Sequence, residues 1–121
     1  MAGVSKGAAG EVLAARYLRD NGYDILGANY RSRFGEIDII AADDTYIVFV
    51  EVKSRAKDSY YAPREAVTAA KQQRILKTAM LYLAEHPETR QPRFDVIEIV
   101  TEPGKPMAMV SLTHLENAYG R

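Results

Sequence analysis

The stretch "GEIDIIAADDTYIVFVEVK", residues 35–53, holds two apolar runs interrupted by charge. Glu36 and Asp38 open the first run, and Glu51 and Lys53 close the second. In a β-strand, residues two apart share a face. Glu36 and Asp38 therefore project from one face, with Ile37 and Ile39 on the other. In the second run Glu51 and Lys53 share a face, opposite Val48, Val50 and Val52. If the runs pair antiparallel, Asp38 and Glu51 become cross-strand neighbours. Two carboxylates that close repel and raise each other's pKa unless a cation lies between them. A carboxylate pair beside a lysine suits a hard divalent cation: Mg²⁺ takes oxygen ligands and completes its shell with water and phosphate oxygens. Such an ion polarises a phosphate and acidifies water, while Lys53 orients that water or steadies negative charge on the phosphate.

The elements that must hold these residues are legible in coarse order. "KGAAGEVLAARYLRDN" reads as a helix with Ser5 as N-cap and Gly22 just past its end. Its apolar stripe runs Ala8, Val12, Ala15 and Leu18, and Glu11 falls within that stripe as a further acid. Tyr23 to Tyr30 reads as a strand interrupted by Gly27. The two acid-bearing runs follow as a hairpin, turning at Ala42-Asp43-Asp44-Thr45. A second helix is expected from Pro63 to about Glu85, stopped near Pro87. Arg93 to Val100 forms a fourth strand, "MAMVSL" a weak fifth, and the chain is expected to finish in a turn of helix. The fold class is α/β, in the order α-β-β-β-α-β plus the weak C-terminal strand, as one domain over residues 1–121.

Composition narrows the chemistry further. There is no cysteine, which excludes disulfides and thiolate metal sites, and His86 and His114 lie far apart in a chain with no other zinc-ligand pattern. No secretory signal is read at the N-terminus, where Lys6, Glu11 and Arg16 break the apolar runs, and nothing approaches the ~20 apolar residues of a membrane span. The expected location is the cytoplasm. Sixteen basic and sixteen acidic residues cancel. Their distribution is uneven, however. Lys53, Arg55, Lys57, Arg64, Lys71, Arg74 and Lys77 crowd one region against only Asp58 and Glu65, which can create a local positive field for nucleic acid or merely a solvated face.

Asp38 and Glu51-Val52-Lys53, following an acid on the first helix, resemble the PD-(D/E)xK nuclease superfamily. The match to one family is closer: "GEVLAARYL", "GYDILGANYRSRFGEIDIIA", "VFVEVKSR", "AVTAAKQQRILKTAMLYL", "RFDVIEI" and "HLENAYG" are similar to the YraN-type family of small bacterial proteins, across essentially the whole chain. That family is similar to archaeal Holliday-junction resolvases. The resemblance implies a three-layer restriction-endonuclease-like core with a mixed central sheet, and a Mg²⁺-dependent endonuclease acting on DNA, with Mn²⁺ able to substitute. It implies Asp38 and Glu51 as metal ligands, Lys53 as the catalytic lysine, and Glu11 as a further ligand or water-holding group, with Glu36 in second rank. It places phosphate-contacting groups at Lys71, Gln72 and Arg74, and the bases of the preceding loop, Arg55 among them, extend that set. Here Ile37 stands where the superfamily's name has proline.

Branched or repair DNA is the expected substrate, and a homodimer the assembly that two symmetric cuts would call for. Two alternatives stand beside this reading: a non-catalytic module binding nucleic acid or protein on a nuclease scaffold, and a hydrolase of small phosphorylated metabolites. The second is disfavoured by the absence of a glycine-rich phosphate cradle. Tyr60 and Tyr61 can stack on bases or pack in a loop. Arg31 and Arg33 can grip phosphate or remain solvated. Asp95 reads as structural.

Overall fold

The computed structural model describes residues 6–59 and 67–120. Ser5, Tyr60, Tyr61, Pro63, Arg64 and Glu65 lie outside the described residues. Two helices and five strands follow one another as α1 (Lys6–Asp20), β1 (Asp24–Ser32), β2 (Gly35–Ala42), β3 (Tyr46–Ala56), α2 (Ala69–Glu85), β4 (Gln91–Glu102) and β5 (Lys105–Tyr119). The strands form one mixed sheet in sequential order. Only β3 and β4 run parallel, and α2 makes the crossover between them.

The alternating β-branched residues of β2 and β3 give the sheet two apolar faces. Ile39, Ala41, Val48 and Val50 pack with Leu13, Ala14 and Leu18 of α1. Ile40, Ile47 and Phe49 pack with Ile75, Ala79 and Tyr82 of α2. The sheet is therefore covered by one helix on each face, a three-layer arrangement. Phe49 stacks on Phe94 with ring centroids 5.5 Å apart, and Tyr82 meets Phe49 edge-on at 5.9 Å.

Local signals explain the ends. Gly22 sits in the left-handed region (φ 88°) just after α1, the place a helix-terminating glycine is needed. Asp43 closes the β2–β3 turn by accepting the N–H groups of Thr45 and Tyr46 at 2.8 and 2.7 Å. The ladder between β1 and β2 shifts register between Ile25 and Gly27, a bulge at the expected break, yet Gly27 pairs with Ile40 and the strand runs on unbroken to Ser32.

Three expectations need correction. Residues 67 and 68 are not helical: Thr68 caps α2, accepting the N–H of Lys71 at 3.2 Å, so the helix begins at Ala69. The C-terminal turn of helix is instead the continuation of β5, because its backbone stays on β4 as far as the Phe94–Tyr119 pair. Asn117 adopts φ 50° there and donates its N–H to the Asp95 carboxylate at 2.9 Å, which fixes a bulge where a helix would have turned. Finally, the buried stripe of α1 is Ala9, Leu13, Ala14 and Leu18, not one through Ala8 and Val12, and Glu11 stands at its edge. Gly10 faces the sheet within this stripe, and a Cβ there would lie 3.0 Å from Cβ of Ser54. The missing side chain lets α1 approach β3 closely.

Candidate functional site

The β2–β3 ladder runs from the turn outward to the Ile39–Val50 pair. One step beyond it, Asp38 leaves the backbone pattern. Its side chain accepts the Val52 N–H at 2.8 Å, taking a β3 donor that the ladder would otherwise use. The strand changes face at this point. Ile39 packs under α1 whereas Ile37 packs with the α2-side core, so the two isoleucines do not share the face that strict alternation assigns them. The twist frees Asp38 to face Glu51.

The two carboxyl groups are in contact. Burial pushes the Asp38 pKa up to about 7, and the Glu51 charge adds to it; the Val52 N–H pulls it down, while a hydrogen bond shared with Glu51 and the charge of Glu11 raise it further. Glu51 is 5% exposed. Its Oε1 accepts a hydrogen bond from the Lys71 ammonium and lies 4.0 Å from Nζ of Lys53. Desolvation works to lower the Lys71 pKa, but the hydrogen bond and charge of Glu51 prevail and raise it. Two acids and two lysines thus form one cluster, fed by β2, β3 and the first turn of α2.

These side chains, with Glu11 from α1, line an open cleft of about 380 Å³ where the amino-terminal turns of both helices meet the end of β3. The cleft brings together Asp38, Glu51, Lys53, Glu11 and Lys71. Glu36 is not among them: it pairs with Arg31 at 2.6 Å on the outer surface. Gln72 donates its side-chain amide to the Val67 carbonyl at 2.9 Å, so it ties down the start of α2. Arg74 is exposed on α2, and Arg55 follows Lys53 by two residues on the same strand, half-buried. Ser54 escaped the sequence reading. Its Oγ is buried at the cleft wall with no hydrogen-bond partner, against Gly10. The α1 stripe read from the sequence ran through Ala8 and Val12, so nothing in it pointed to so close a contact at Gly10.

The donor chemistry suits a hard divalent cation held by two carboxylates. Among the described residues, no three His, Asp or Glu side chains converge tightly enough to share an ion. The pair alone still matches Mg²⁺, which is commonly bound through one or two carboxylates and keeps several waters. An ion between Asp38 and Glu51 would also relieve the repulsion that holds the Asp38 proton.

Asp95 and His114 form a separate cluster under α1. Asp95 is fully buried, accepts both Nε and an Nη of Arg93 at 3.0 and 2.9 Å, and contacts Nε2 of His114 at 2.7 Å. His114 reaches the Tyr17 hydroxyl through Nδ1 at 2.9 Å, and Arg93 donates to the Tyr23 hydroxyl at 2.6 Å. Every strong group here is paired with another, the pattern of a structural network.

A family model described as uncharacterised protein family UPF0102 matches residues 10–99, a span containing Glu11, Asp38, Glu51, Lys53 and Lys71. The chain belongs to family UPF0102. It is 44% identical over 114 residues to a UPF0102 protein of Caldanaerobacter subterraneus subsp. tengcongensis, covering 93% of each chain. It is 47% identical over 116 residues to a UPF0102 protein of Syntrophus aciditrophicus, covering 95% of this chain and 91% of the relative. A UPF0102 protein of Nocardia farcinica is 50% identical over 99 residues, 81% of this chain and 78% of the other. This is the YraN-type family that the sequence blocks resemble. Among the described residues, no helix is long and apolar enough to cross a membrane.

Proposed function

We propose that this UPF0102 protein is a cytoplasmic, metal-dependent endonuclease of DNA on a restriction-endonuclease-like core. The observation that carries the reading is the contact of Asp38 with Glu51, inside an open cleft that Lys53 and Lys71 share. A structural core gains nothing from two adjoining carboxylates. A site for a cation and a phosphodiester does.

In this reading Asp38 and Glu51 hold Mg²⁺ or Mn²⁺, which when bound supplies charge for the phosphate and a more acidic water. Lys53, its side chain only 26% exposed, is held beside Glu51 and directs its ammonium at the phosphate or the attacking water. Lys71 is more open, at 38%, and can leave Glu51 to take a phosphate oxygen. Glu11 stands across the cleft and orients water. Arg74 and Arg55 hold the flanking backbone, whose contacts position the strand without reading its sequence. The test is cleavage of branched, linear and single-stranded DNA with Mg²⁺ or Mn²⁺, comparing the wild type with Asp38→Asn and Lys53→Ala.

A second reading has its own support. The Lys71 ammonium on Glu51 neutralises that acid within the protein itself, as a site that binds nucleic acid without cutting it would permit. DNA retention by the wild type, unaltered in a variant that combines Asp38→Asn with Lys53→Ala and without cleavage by either protein, selects this alternative.

A further inference from the structure

The cations of α2 continue away from the cleft. Lys71, Arg74 and Lys77 recur every three residues and follow one side of the helix, rising about 4.5 Å at each step. Lys71 is at the carboxylates. Arg74 packs against the tip of the β1–β2 hairpin: a Cβ on Gly35 would sit 3.3 Å from Cβ of Arg74. Lys77 reaches the hairpin's aromatic residue, with Nζ 5.4 Å from the centroid of the Phe34 ring. Arg33 approaches the same ring, its guanidinium carbon 4.9 Å from the centroid. No carboxylate among the described residues forms an ion pair with Arg33, Arg74 or Lys77.

A half-buried phenylalanine at a hairpin tip is an odd place for hydrophobic packing alone, and this one is bracketed by two cations. Proteins that hold single strands combine these parts: a cationic track for the phosphates and an aromatic ring on which a base stacks. A base inside a duplex is already stacked on its neighbours, so Phe34 is offered only to an unpaired one.

We infer that the hairpin tip Arg33–Phe34, together with Arg74 and Lys77, is a binding site for an unpaired nucleotide of a DNA strand whose phosphates follow α2 into the carboxylate cleft. This rests on the proposed nuclease reading and narrows its substrate to DNA with a single-stranded segment beside the cut: a flap, a fork or an open branch point. Lys77 and Arg33 gain phosphate partners, and the base takes the exposed part of the Phe34 ring.

The experiment measures binding of the full chain, without added metal, to a fluorescent oligothymidylate, to the same oligonucleotide with abasic sites, and to a duplex of equal length. Wild type is expected to bind the oligothymidylate at least about fivefold more tightly than the abasic strand, the lower end of what one stacked base contributes. Phe34→Leu keeps an apolar side chain and is expected to abolish that difference. Lys77→Gln weakens the normal and abasic strands by the same factor and lowers the salt dependence. Equal affinity of the wild type for normal and abasic strands overturns the inference, and needs no variant to read. Preference for the duplex overturns it too. The two proposals fail separately: base-dependent binding without metal-dependent cleavage leaves this site standing and removes the nuclease reading. Cleavage of DNA with no base dependence does the reverse.

Discussion

The carboxylate of Asp38 accepts the backbone N–H of Val52 at 2.8 Å, and so fastens β2 to the strand that carries Glu51 and Lys53. This one bond locks the three residues in register. It also gives Asp38 a conflicted environment, since the N–H favours its charge while burial and Glu51 oppose it.

The conflict has a pH signature. The Asp38 pKa rises from 3.8 to about 7 on folding, so the folded state binds more protons than the unfolded one between those values. The contribution to stability is therefore complete below pH 3.8 and lost as pH rises through about 7. Asp38→Asn keeps an acceptor for Val52 and removes the charge. In metal-free buffer at pH 8 the variant is expected to be more stable than wild type by about 1–3 kcal/mol, against little difference at pH 4. Thermal melts at both values check this, and equal stabilities at pH 8 would show that Asp38 carries no burden of charge.

A metal must displace the same proton. Below about pH 7 the apparent affinity for Mg²⁺ is expected to rise close to tenfold per pH unit, levelling off above. Calorimetric titration at a series of pH values, with proton release followed in buffers of different ionisation heat, measures it. A flat profile from pH 5 to 8 would place the ion elsewhere.

Gly10 sets how closely Glu11 hangs over the cleft. A Cβ at this position meets Cβ of Ser54 at 3.0 Å, so the helix must give way. Gly10→Val is expected to destabilise the fold by about 1–3 kcal/mol and to lower any cleavage activity further than the stability loss accounts for. Gly10→Ala has a smaller effect, because alanine returns up to about 1 kcal/mol in helix propensity. Denaturant unfolding of both variants, with no loss in either, would remove the close approach as a constraint.

The buried Asp95 behaves differently from Asp38. Desolvation opposes its charge, yet hydrogen bonds from His114, Arg93 and the Asn117 N–H outweigh it and hold its pKa below the usual carboxylate value. That stability is present above the unfolded carboxylate pKa and is lost as pH falls through the lower folded one. Asp95→Asn takes away the buried carboxylate partner of Arg93 and leaves it only the exposed Glu116 at 3.9 Å, which is expected to cost about 3–5 kcal/mol at neutral pH, while Asp38→Asn costs nothing. Chemical denaturation of the two variants side by side separates the structural acid from the site acid.

Much of this arrangement was legible in the residues, for reasons that are local. The alternation in "YIVFVEVK" placed Val48, Val50 and Val52 against one helix and Glu51 with Lys53 on the other face, because strand periodicity is imposed by the backbone. The pairing of Asp38 with Glu51 followed from the short turn between the strands. What escaped depends on twist and on long-range packing. Ile37 changes face because Asp38 gives its side chain to Val52, which no period-two count includes. Glu36 therefore points to Arg31 and away from the cleft. The bond from Lys71 to Glu51 joins residues far apart in sequence, and only the crossover helix brings them together. Phe34 carried no signal of its own in the sequence, because only the crossover helix brings Lys77 to its ring.

The central claim is that Asp38, Glu51 and Lys53 form a site that cuts a phosphodiester. The most direct measurement is gel-resolved cleavage of labelled branched, flapped, linear and single-stranded DNA by purified protein, with Mg²⁺, Mn²⁺ or chelator. Metal-dependent cleavage of at least one DNA with an unpaired segment is expected, at least about a hundredfold slower in both Asp38→Asn and Lys53→Ala, as loss of a charge-stabilising group commonly costs. Cleavage that persists unchanged in both folded variants, or no cleavage of any of these DNAs by the wild type with either metal, would contradict it.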